Sequence, residues 1–334
     1  MLQRLCLRAM RAPDFWKSEG FAAKACAALL APLGALYGLS VRARRARARP
    51  FRSNARVLCV GNLTAGGSGK TPVAMALARM LMARRRKVVF LTRGYGGHVR
   101  GPIAVDPRRH SAAQVGDEAL LLASVAPTVV ARDRARGGAL ADSLGADVIV
   151  MDDGFQNFQL VKDVSLIVID AETGFGNRRL IPAGPLREPV EQGLERADGV
   201  VLLGEGGLAL PSFRGPVLRA DLRPNEPDAF KGRSVFAMAG IGRPEKFFRT
   251  LQAIGARVVG TRAFPDHHRY TVWELEAVRQ IAASTGALVV TTEKDFVRID
   301  ANLRDGILSI PVHAVFADDP NLGIMLDRLA DGRA

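Results

Sequence analysis

The feature that most constrains this chain is a glycine-rich run between an apolar stretch and a helical pattern. A short buried strand is predicted at 56–60, and a helix is predicted to begin near Pro72, where proline suits the first turn. In that setting glycines let backbone N–H groups close around phosphate, and the helix N-terminus adds a favourable dipole. The predicted nucleotide-phosphate loop consists of Thr64, Ala65, Gly66, Gly67, Ser68, Gly69, Lys70 and Thr71.

Two positions in this loop have predicted roles, one toward the phosphates and one toward a metal. Lys70 is expected to neutralise β- and γ-phosphate charge, and the Thr71 hydroxyl is expected to ligate Mg²⁺. The apolar run 148–151 ends in Asp152 and Asp153, and a hydrophobic strand ending in aspartate places a carboxylate beside the metal. The alternative is an ordinary strand followed by an Asp-Gly turn. We take Asp152 as the second candidate metal ligand.

Strand and helix patterns alternate through most of the chain, which predicts an α/β fold. Residues 56–225 are assigned to a P-loop NTPase-like domain, a parallel sheet flanked by helices. A stretch at 221–232 with two prolines and a glycine reads as a linker. Residues 226–334 then form a second, smaller α/β domain, in which Thr271 and Glu274 make a capping box.

Two further motifs carry titratable groups. Asp117 and Glu118 begin a predicted helix, where acids suit the helix dipole, or where a carboxylate can accept or orient a substrate hydroxyl proton. Asp266, His267 and His268 precede the capped helix. They suggest a metal site, ordinary capping and packing, or a histidine that sets the orientation of a catalytic carboxylate.

Several polar side chains follow predicted strands, where open α/β sheets bind ligands. Arg93 and Tyr95 lie in one glycine-rich loop, and Arg187 lies in a proline-rich loop further along. Together with Arg134, these arginines are candidates to meet a substrate phosphate. A single arginine is more commonly a surface charge.

The net charge of +14 is concentrated at the N-terminus. Residues 1–56 hold twelve basic residues against two acids, a balance of +10. An amphipathic pattern precedes Pro13, and residues 21–41 are apolar with the single charge Lys24. The length just suffices to span a bilayer, and the arginines that follow argue against a signal peptide. We favour a helix at an anionic membrane surface within a segment 1–55, against the alternative of a helix packed on the domain.

Taken together, the motifs resemble one family, the tetraacyldisaccharide 4′-kinases, or lipid A 4′-kinases. The matching stretches fall in family order at 61–72, 92–97, 116–118, 151–156, 182–188, 264–267 and 292–295. Thr64 in place of the usual first loop glycine agrees with this family, which also lacks it. Ala119 departs from it, because proline is common there.

The resemblance implies transfer of the γ-phosphate of ATP, with Mg²⁺, to the 4′-hydroxyl of an acylated disaccharide 1-phosphate lipid. It implies a peripheral or N-terminally anchored enzyme at the cytoplasmic face of the bacterial inner membrane, and we expect a monomer. By motif, Asp117 is the catalytic carboxylate, His267 is its partner across an interdomain cleft, and Lys70 completes the catalytic set. The expected substrate-binding residues are Arg93, Tyr95, Glu118, Arg134, Asp153, Gln156 and Arg187.

Two other classes of protein compete with this reading. Deviant P-loop partitioning or insertion ATPases share the loop and often touch membranes, but they carry a signature lysine where this chain has Ala65. A nucleic-acid binder would use the basic arm, yet aromatic residues make up only 6% and no recognition module is evident, so we expect no nucleic-acid partner.

Overall fold

The computed structural model describes residues 13–16, 18, 20–210 and 213–331, which divide into two compact units. The larger unit comprises residues 13–223 and 313–331, and the smaller unit is Pro224–Val312. The amphipathic pattern predicted before Pro13 lies outside the described residues. The apolar helix predicted after it is present within the larger unit.

Nine of the described strands form one sheet in the larger unit. They are β1 (Arg56–Gly61), β2 (Val88–Thr92), β3 (Ile103–Ala104), β4 (Thr128–Val130), β5 (Val148–Asp152), β6 (Val164–Asp170), β7 (Gly199–Leu203), β8 (Val217–Pro224) and β13 (Val312–Phe316); the strands numbered in between belong to the smaller unit. The order is β13-β8-β7-β6-β1-β5-β2-β4-β3, parallel from β8 to β4. The predicted parallel α/β sheet is therefore confirmed.

Helices cover this sheet, and a short 3₁₀ turn (Asp14–Trp16) precedes them. They are α1 (Phe21–Ala46), α2 (Lys70–Ala83), α3 (Ala112–Val115), α4 (Asp117–Ala123), α5 (Arg134–Ser143), α6 (Val190–Leu194) and α10 (Pro320–Ala330). Every residue of β5, β6 and β7 is buried, as expected for parallel strands that are covered on both faces. Helix α2 buries seven of its fourteen residues.

The smaller unit has its own four-stranded parallel sheet, in the order β10-β9-β11-β12. Its elements are β9 (Ser234–Ala239), α7 (Pro244–Ala253), β10 (Arg257–Ala263), α8 (Val272–Ser284), β11 (Leu288–Thr292), α9 (Glu293–Phe296) and β12 (Ile307–Ile310), with 3₁₀ turns at Pro227–Phe230 and Ala301–Leu303. The predicted capping box of α8 is present, because Thr271 and Glu274 each bond the other's backbone N–H.

The structure moves two boundaries predicted from the sequence. The stretch read as a linker from residue 221 begins inside β8, whose alternating burial is that of a strand with one covered face. Residues 313–331, assigned to the smaller domain, belong to the larger unit, because β13 lies beside β8. Helix α10 follows β13 and buries Leu322, Leu326 and Leu329, while its Asp327 pairs with Arg84 at 2.8 Å.

Helix α1 is long and apolar enough to cross a membrane, with a mean hydropathy of 1.5. Only 17% of its apolar window is buried inside the protein. Its buried residues form a stripe of small side chains: Ala23, Ala27, Gly34, Gly38 and Val41. Gly34 and Gly38 both lie against Leu180 of the larger unit. Leucines on the other side of α1 remain exposed, including Leu29 at 82% and Leu36 at 64%. The helix thus packs on the unit through one stripe and leaves an apolar face open.

A substitution tests the packing of this stripe. A Cβ at Gly34 would lie 3.1 Å from the Leu180 carbonyl oxygen, so Gly34→Leu should overpack the contact and destabilise the protein by about 1–3 kcal/mol. Ala35→Leu, at an exposed neighbouring position, is the matched control and should change stability by less than about 0.5 kcal/mol. Thermal melting and hydrogen exchange along α1 measure both. Equal melting and equal exchange in the two variants would contradict this packing.

Candidate active site

The glycine-rich loop connects β1 to α2, in the strand-loop-helix context that the sequence predicted. Asn62 ties the loop together, since its Nδ2 donates to the Thr64 carbonyl at 2.7 Å and to Ser68 Oγ at 2.9 Å. Ala65 N–H donates to the Pro185 carbonyl at 2.7 Å, which anchors the loop to the segment before Arg187.

Two glycines in the loop have different roles. Gly69 has φ of 77°, and a Cβ there would lie 2.2 Å from Leu203 Cδ2, so both conformation and space require glycine. Gly66 also has a positive φ, of 109°, but nothing lies within 4 Å of a Cβ at Gly66 or Gly67. The middle of the loop is therefore open, with backbone available to approach a phosphate.

Lys70 and Arg187 converge on Asp153. Lys70 Nζ is 3.6 Å from Asp153 Oδ1, and Arg187 Nη1 is 2.7 Å from the same oxygen. Burial alone would raise the pKa of Asp153, but the two cations outweigh it and hold that pKa below its usual range. The Asp153 carboxylate therefore stays ionised and holds the side chains of Lys70 and Arg187 beside the phosphate loop.

Asp152 is placed for a metal. It ends β5 beside β1 in parallel register, and its Oδ2 accepts from Thr71 Oγ1 at 2.9 Å. Its Oδ1 is buried without a hydrogen-bond partner in the described part of the chain. Burial, and then the nearby charge of Glu118, raise the pKa of Asp152 to about 7. An unsatisfied oxygen beside a hydroxyl is a donor set that suits Mg²⁺, whose charge would favour the ionised carboxylate.

Asp117 is the first residue of α4 and is 3% exposed, and its Oδ1 accepts from the Glu118 backbone N–H at 3.0 Å. The loop that carries Tyr95 packs directly on this helix start, because a Cβ at Gly116 would lie 2.4 Å from the Tyr95 carbonyl oxygen. Tyr95 itself is 59% exposed. The two motifs, distant in sequence, therefore adjoin.

Arg134 is buried at 2% exposure, and its Nη1 donates to the Ala131 carbonyl. Its Nε has no hydrogen-bond partner among the described residues. Burial, and then the charge of exposed Arg93, lower the pKa of Arg134 to about 10. Two guanidinium groups that repel each other, one with an unsatisfied buried N–H, form an environment that suits an anion.

Sequence reasoning missed the buried Glu188 as a site residue. Its Oε1 accepts from Gln156 Nε2 at 2.9 Å, and its Oε2 pairs with Arg196 Nη2 at 2.5 Å. Gln156 Nε2 also donates to the Asn62 carbonyl at 2.8 Å. Glu188 therefore fixes the side chain that supports the start of the loop. It ends the proline-rich stretch 182–188, the only signal that could have identified it.

His267 lies in the smaller unit, in the turn after β10, where Asp266 Oδ1 accepts its backbone N–H at 3.0 Å. The adjacent His268 contacts Glu274, at 3.0 Å from its Oε2. Among the described residues, no group of three or more His, Cys, Asp or Glu is arranged to hold a metal. The metal alternative for Asp266, His267 and His268 therefore receives no support.

Comparisons with known proteins find one family over most of the chain, together with a solved structure of similar fold. The family described as LpxK, tetraacyldisaccharide-1-P 4′-kinase, matches residues 26–331. The tetraacyldisaccharide 4′-kinase of Paramagnetospirillum magneticum is 51% identical over 325 residues, covering 96% of this chain and 99% of that protein. That of Rhodospirillum centenum is 49% identical over 330 residues, with 97% and 98% covered. The crystal structure of LpxK from Aquifex aeolicus in complex with ATP has a TM-score of 0.74 at 26% identity, covering 91% of this chain and 99% of that one.

The buried position of Glu188 leads to a stability prediction. The Glu188 side chain is 5% exposed and that of Arg196 is 18% exposed, so Glu188→Gln leaves a partly buried guanidinium uncompensated and should destabilise the protein by about 2 kcal/mol. Glu191→Gln is the matched control, because its pair with Arg178 is more than half exposed and should contribute less than about 1 kcal/mol. Urea unfolding of both variants measures the difference. Equal losses would show that the Glu188 pair is energetically a surface pair.

Proposed function

The chain belongs to the tetraacyldisaccharide 4′-kinase family, and from that premise we propose that it transfers the γ-phosphate of ATP to the 4′-hydroxyl of a tetraacyldisaccharide 1-phosphate. The product would be the bisphosphorylated lipid A precursor. The observation that carries the proposal is the phosphate loop, whose Lys70 ends 3.6 Å from Asp153 while Thr71 bonds Asp152. The family match and the near-full-length relatives support this kinase over the alternative of a membrane-associated P-loop ATPase without lipid kinase activity.

ATP binds with its phosphates on residues 64–71 in this proposal. Lys70 supplies positive charge, and Asp153 holds the side chains of Lys70 and Arg187 in place before the nucleotide arrives. Thr71 and Asp152 would hold Mg²⁺, which would supply further neutralisation of the phosphate charge. The protein thus contributes position and charge, which are the main catalytic terms in phosphoryl transfer.

Asp117 is proposed as the carboxylate that accepts the proton of the sugar hydroxyl, and His267 as a second catalytic residue. Support for Asp117 comes from its buried position at the start of α4. Glu118 lies close enough to Asp152 to raise the pKa of that carboxyl, which places the start of α4 near the end of β5.

We propose that three side chains that follow the neighbouring strands β2 and β4 contact the substrate. Arg93 and Arg134 suit an anionic group, and exposed Tyr95 suits a sugar face. Glu118, Asp153, Gln156 and Arg187 complete the proposed substrate set. The last three form a bonded group, since Arg187 Nη1 contacts Asp153 at 2.7 Å and Gln156 Oε1 at 3.4 Å.

Membrane attachment is proposed for α1. Its exposed leucines form an apolar face, and the basic run 42–49 follows within and just after the helix. Such a helix binds an anionic surface by apolar burial together with charge attraction. We place the enzyme at the cytoplasmic face of the bacterial inner membrane, where both ATP and the lipid acceptor are accessible, and we propose that it acts as a monomer.

A transfer assay tests the reaction. Labelled ATP, Mg²⁺ and a tetraacylated disaccharide 1-phosphate, mixed with detergent-solubilised protein, should give a bisphosphorylated lipid, and EDTA should abolish it. Asp117→Asn should lower kcat by about 10²–10⁴ while ATP still binds. Asp327→Asn, in an exposed surface pair, is the control and should retain activity. ATP hydrolysis without any lipid product would instead identify an ATPase, and unchanged turnover of the Asp117 variant would remove that residue from the mechanism.

Flotation with lipid vesicles tests the membrane proposal. Replacing Leu29, Leu33 and Leu36 by Gln should reduce binding to neutral and anionic vesicles alike, because the apolar face is lost. Replacing Arg42, Arg44 and Arg45 by Gln should reduce only the preference for anionic vesicles, by roughly fivefold per arginine. Ser40→Gln, at an exposed polar position, is the control. Undiminished flotation of the leucine variant would exclude α1 as the attachment.

A further inference from the structure

In the smaller unit, the ring of His267 meets an arginine that sequence reasoning did not select. Arg298 Nη2 lies 3.4 Å from His267 Nδ1. A guanidinium group has only donors, so the ring nitrogen facing it must supply the lone pair. In the neutral imidazole, the hydrogen then sits on Nε2. The contact therefore selects one tautomer of His267.

Arg298 is itself held firmly. Its side chain is 5% exposed, and its Nη1 donates to Asp295 Oδ1 at 2.9 Å and to the Gly240 carbonyl at 2.6 Å. Asp295 is fully buried, and its carboxylate accepts from Tyr270 Oη at 2.9 Å and Thr292 Oγ1 at 2.6 Å. Burial, and then the charge of Asp295, raise the pKa of Tyr270, so the tyrosine remains a donor.

The backbone of His267 is fixed from the same point. Its φ is 57°, a left-handed conformation that is uncommon outside glycine. Its N–H donates to the Gly240 carbonyl at 3.1 Å, and that carbonyl also accepts from Arg298. One carbonyl at the end of β9 therefore aligns both the main chain of His267 and the cation that faces its ring.

The neighbouring His268 is held through its other ring nitrogen. Its Nε2 lies 3.0 Å from the Glu274 carboxylate, and its ring stacks on Phe264 at 4.8 Å between centroids. A carboxylate accepts hydrogen bonds and an arginine donates them. The two adjacent imidazoles are thus held in different ways, and His268 serves as an internal reference.

We propose that Arg298, aimed by Asp295, is a positioning residue that holds His267 as its Nε2–H tautomer. The inference rests on the proposed catalytic role of His267. In this state Nε2 donates a hydrogen bond and cannot take up the hydroxyl proton. The 4′-oxygen then forms its bond to the γ-phosphorus as the bond to the β-phosphate oxygen of ATP breaks, ADP departs, and the proton goes to the Asp117 carboxylate.

Nitrogen NMR of the histidine rings tests the tautomer. The full chain, labelled with ¹⁵N-histidine in detergent, contains five histidines, and His267→Gln identifies the His267 signals by their loss. We expect a protonated Nε2 and an unprotonated Nδ1 at His267. Arg298→Met should shift these signals towards a mixture of tautomers while the His268 signals stay unchanged, which shows that the unit remains folded. A protonated Nδ1 in the wild type, or signals unaffected by Arg298→Met, would overturn the proposal.

Turnover measurements test whether the tautomer matters. Arg298→Met should lower kcat by on the order of 10-fold to 100-fold, and added guanidinium or Arg298→Lys should restore part of it. In a His267→Ala background, Arg298→Met should have no further effect on kcat, because it acts through that ring. An equal loss with and without His267 would make Arg298 merely structural and overturn the proposal. Full activity of His267→Ala would instead reject the proposed catalytic role of His267, while the NMR result on the tautomer would still stand.

Discussion

The parallel pairing of β1 with β5 is the constraint on which the site in the larger unit depends. Val60 is in register with Asp152, so the phosphate loop that leaves β1 and the carboxylates that end β5 meet at one edge. Parallel strands place their carboxyl ends together, and in such a sheet the loops between them form the ligand site. Thr71, Lys70, Arg187 and Glu118 then reach the same two aspartates from other elements.

Much of this edge could be predicted from the sequence because its signals are local. The phosphate loop and the Asp152-Asp153 pair each lie where a strand ends. The end of a strand can be recognised from the hydrophobic pattern and from turn residues such as glycine and proline. Strand β8 was partly read as a linker because its last residues contain proline and alternate with charged side chains, whereas the central strands are continuous apolar runs. The return of residues 313–331 to the larger sheet is a long-range pairing with no local signal.

The side-chain pairs of the site were beyond sequence reasoning for a related reason. Arg187 was selected as a residue for substrate, and the structure shows it bonded to Asp153, which lies 34 residues earlier. Glu188 and Arg298 were not selected at all, although each fixes a residue that was. A side chain that supports another is identified by its burial and its partner, and both follow from the tertiary fold. Arg298 lies outside every motif, and Glu188 ends one without a pattern that separates its supporting role from that of Arg187.

The division of the larger unit between two stretches of the chain has a consequence for its synthesis. Residues 225–311 leave the ribosome after β8 but before β13 and α10, which complete the edge and one face of the first sheet. Until then, β8 is an unprotected strand edge, and the apolar surface under Leu322, Leu326 and Leu329 is uncovered. Nascent chains generally fold domain by domain from the N-terminus, whereas here the first unit to begin folding is the last to be finished.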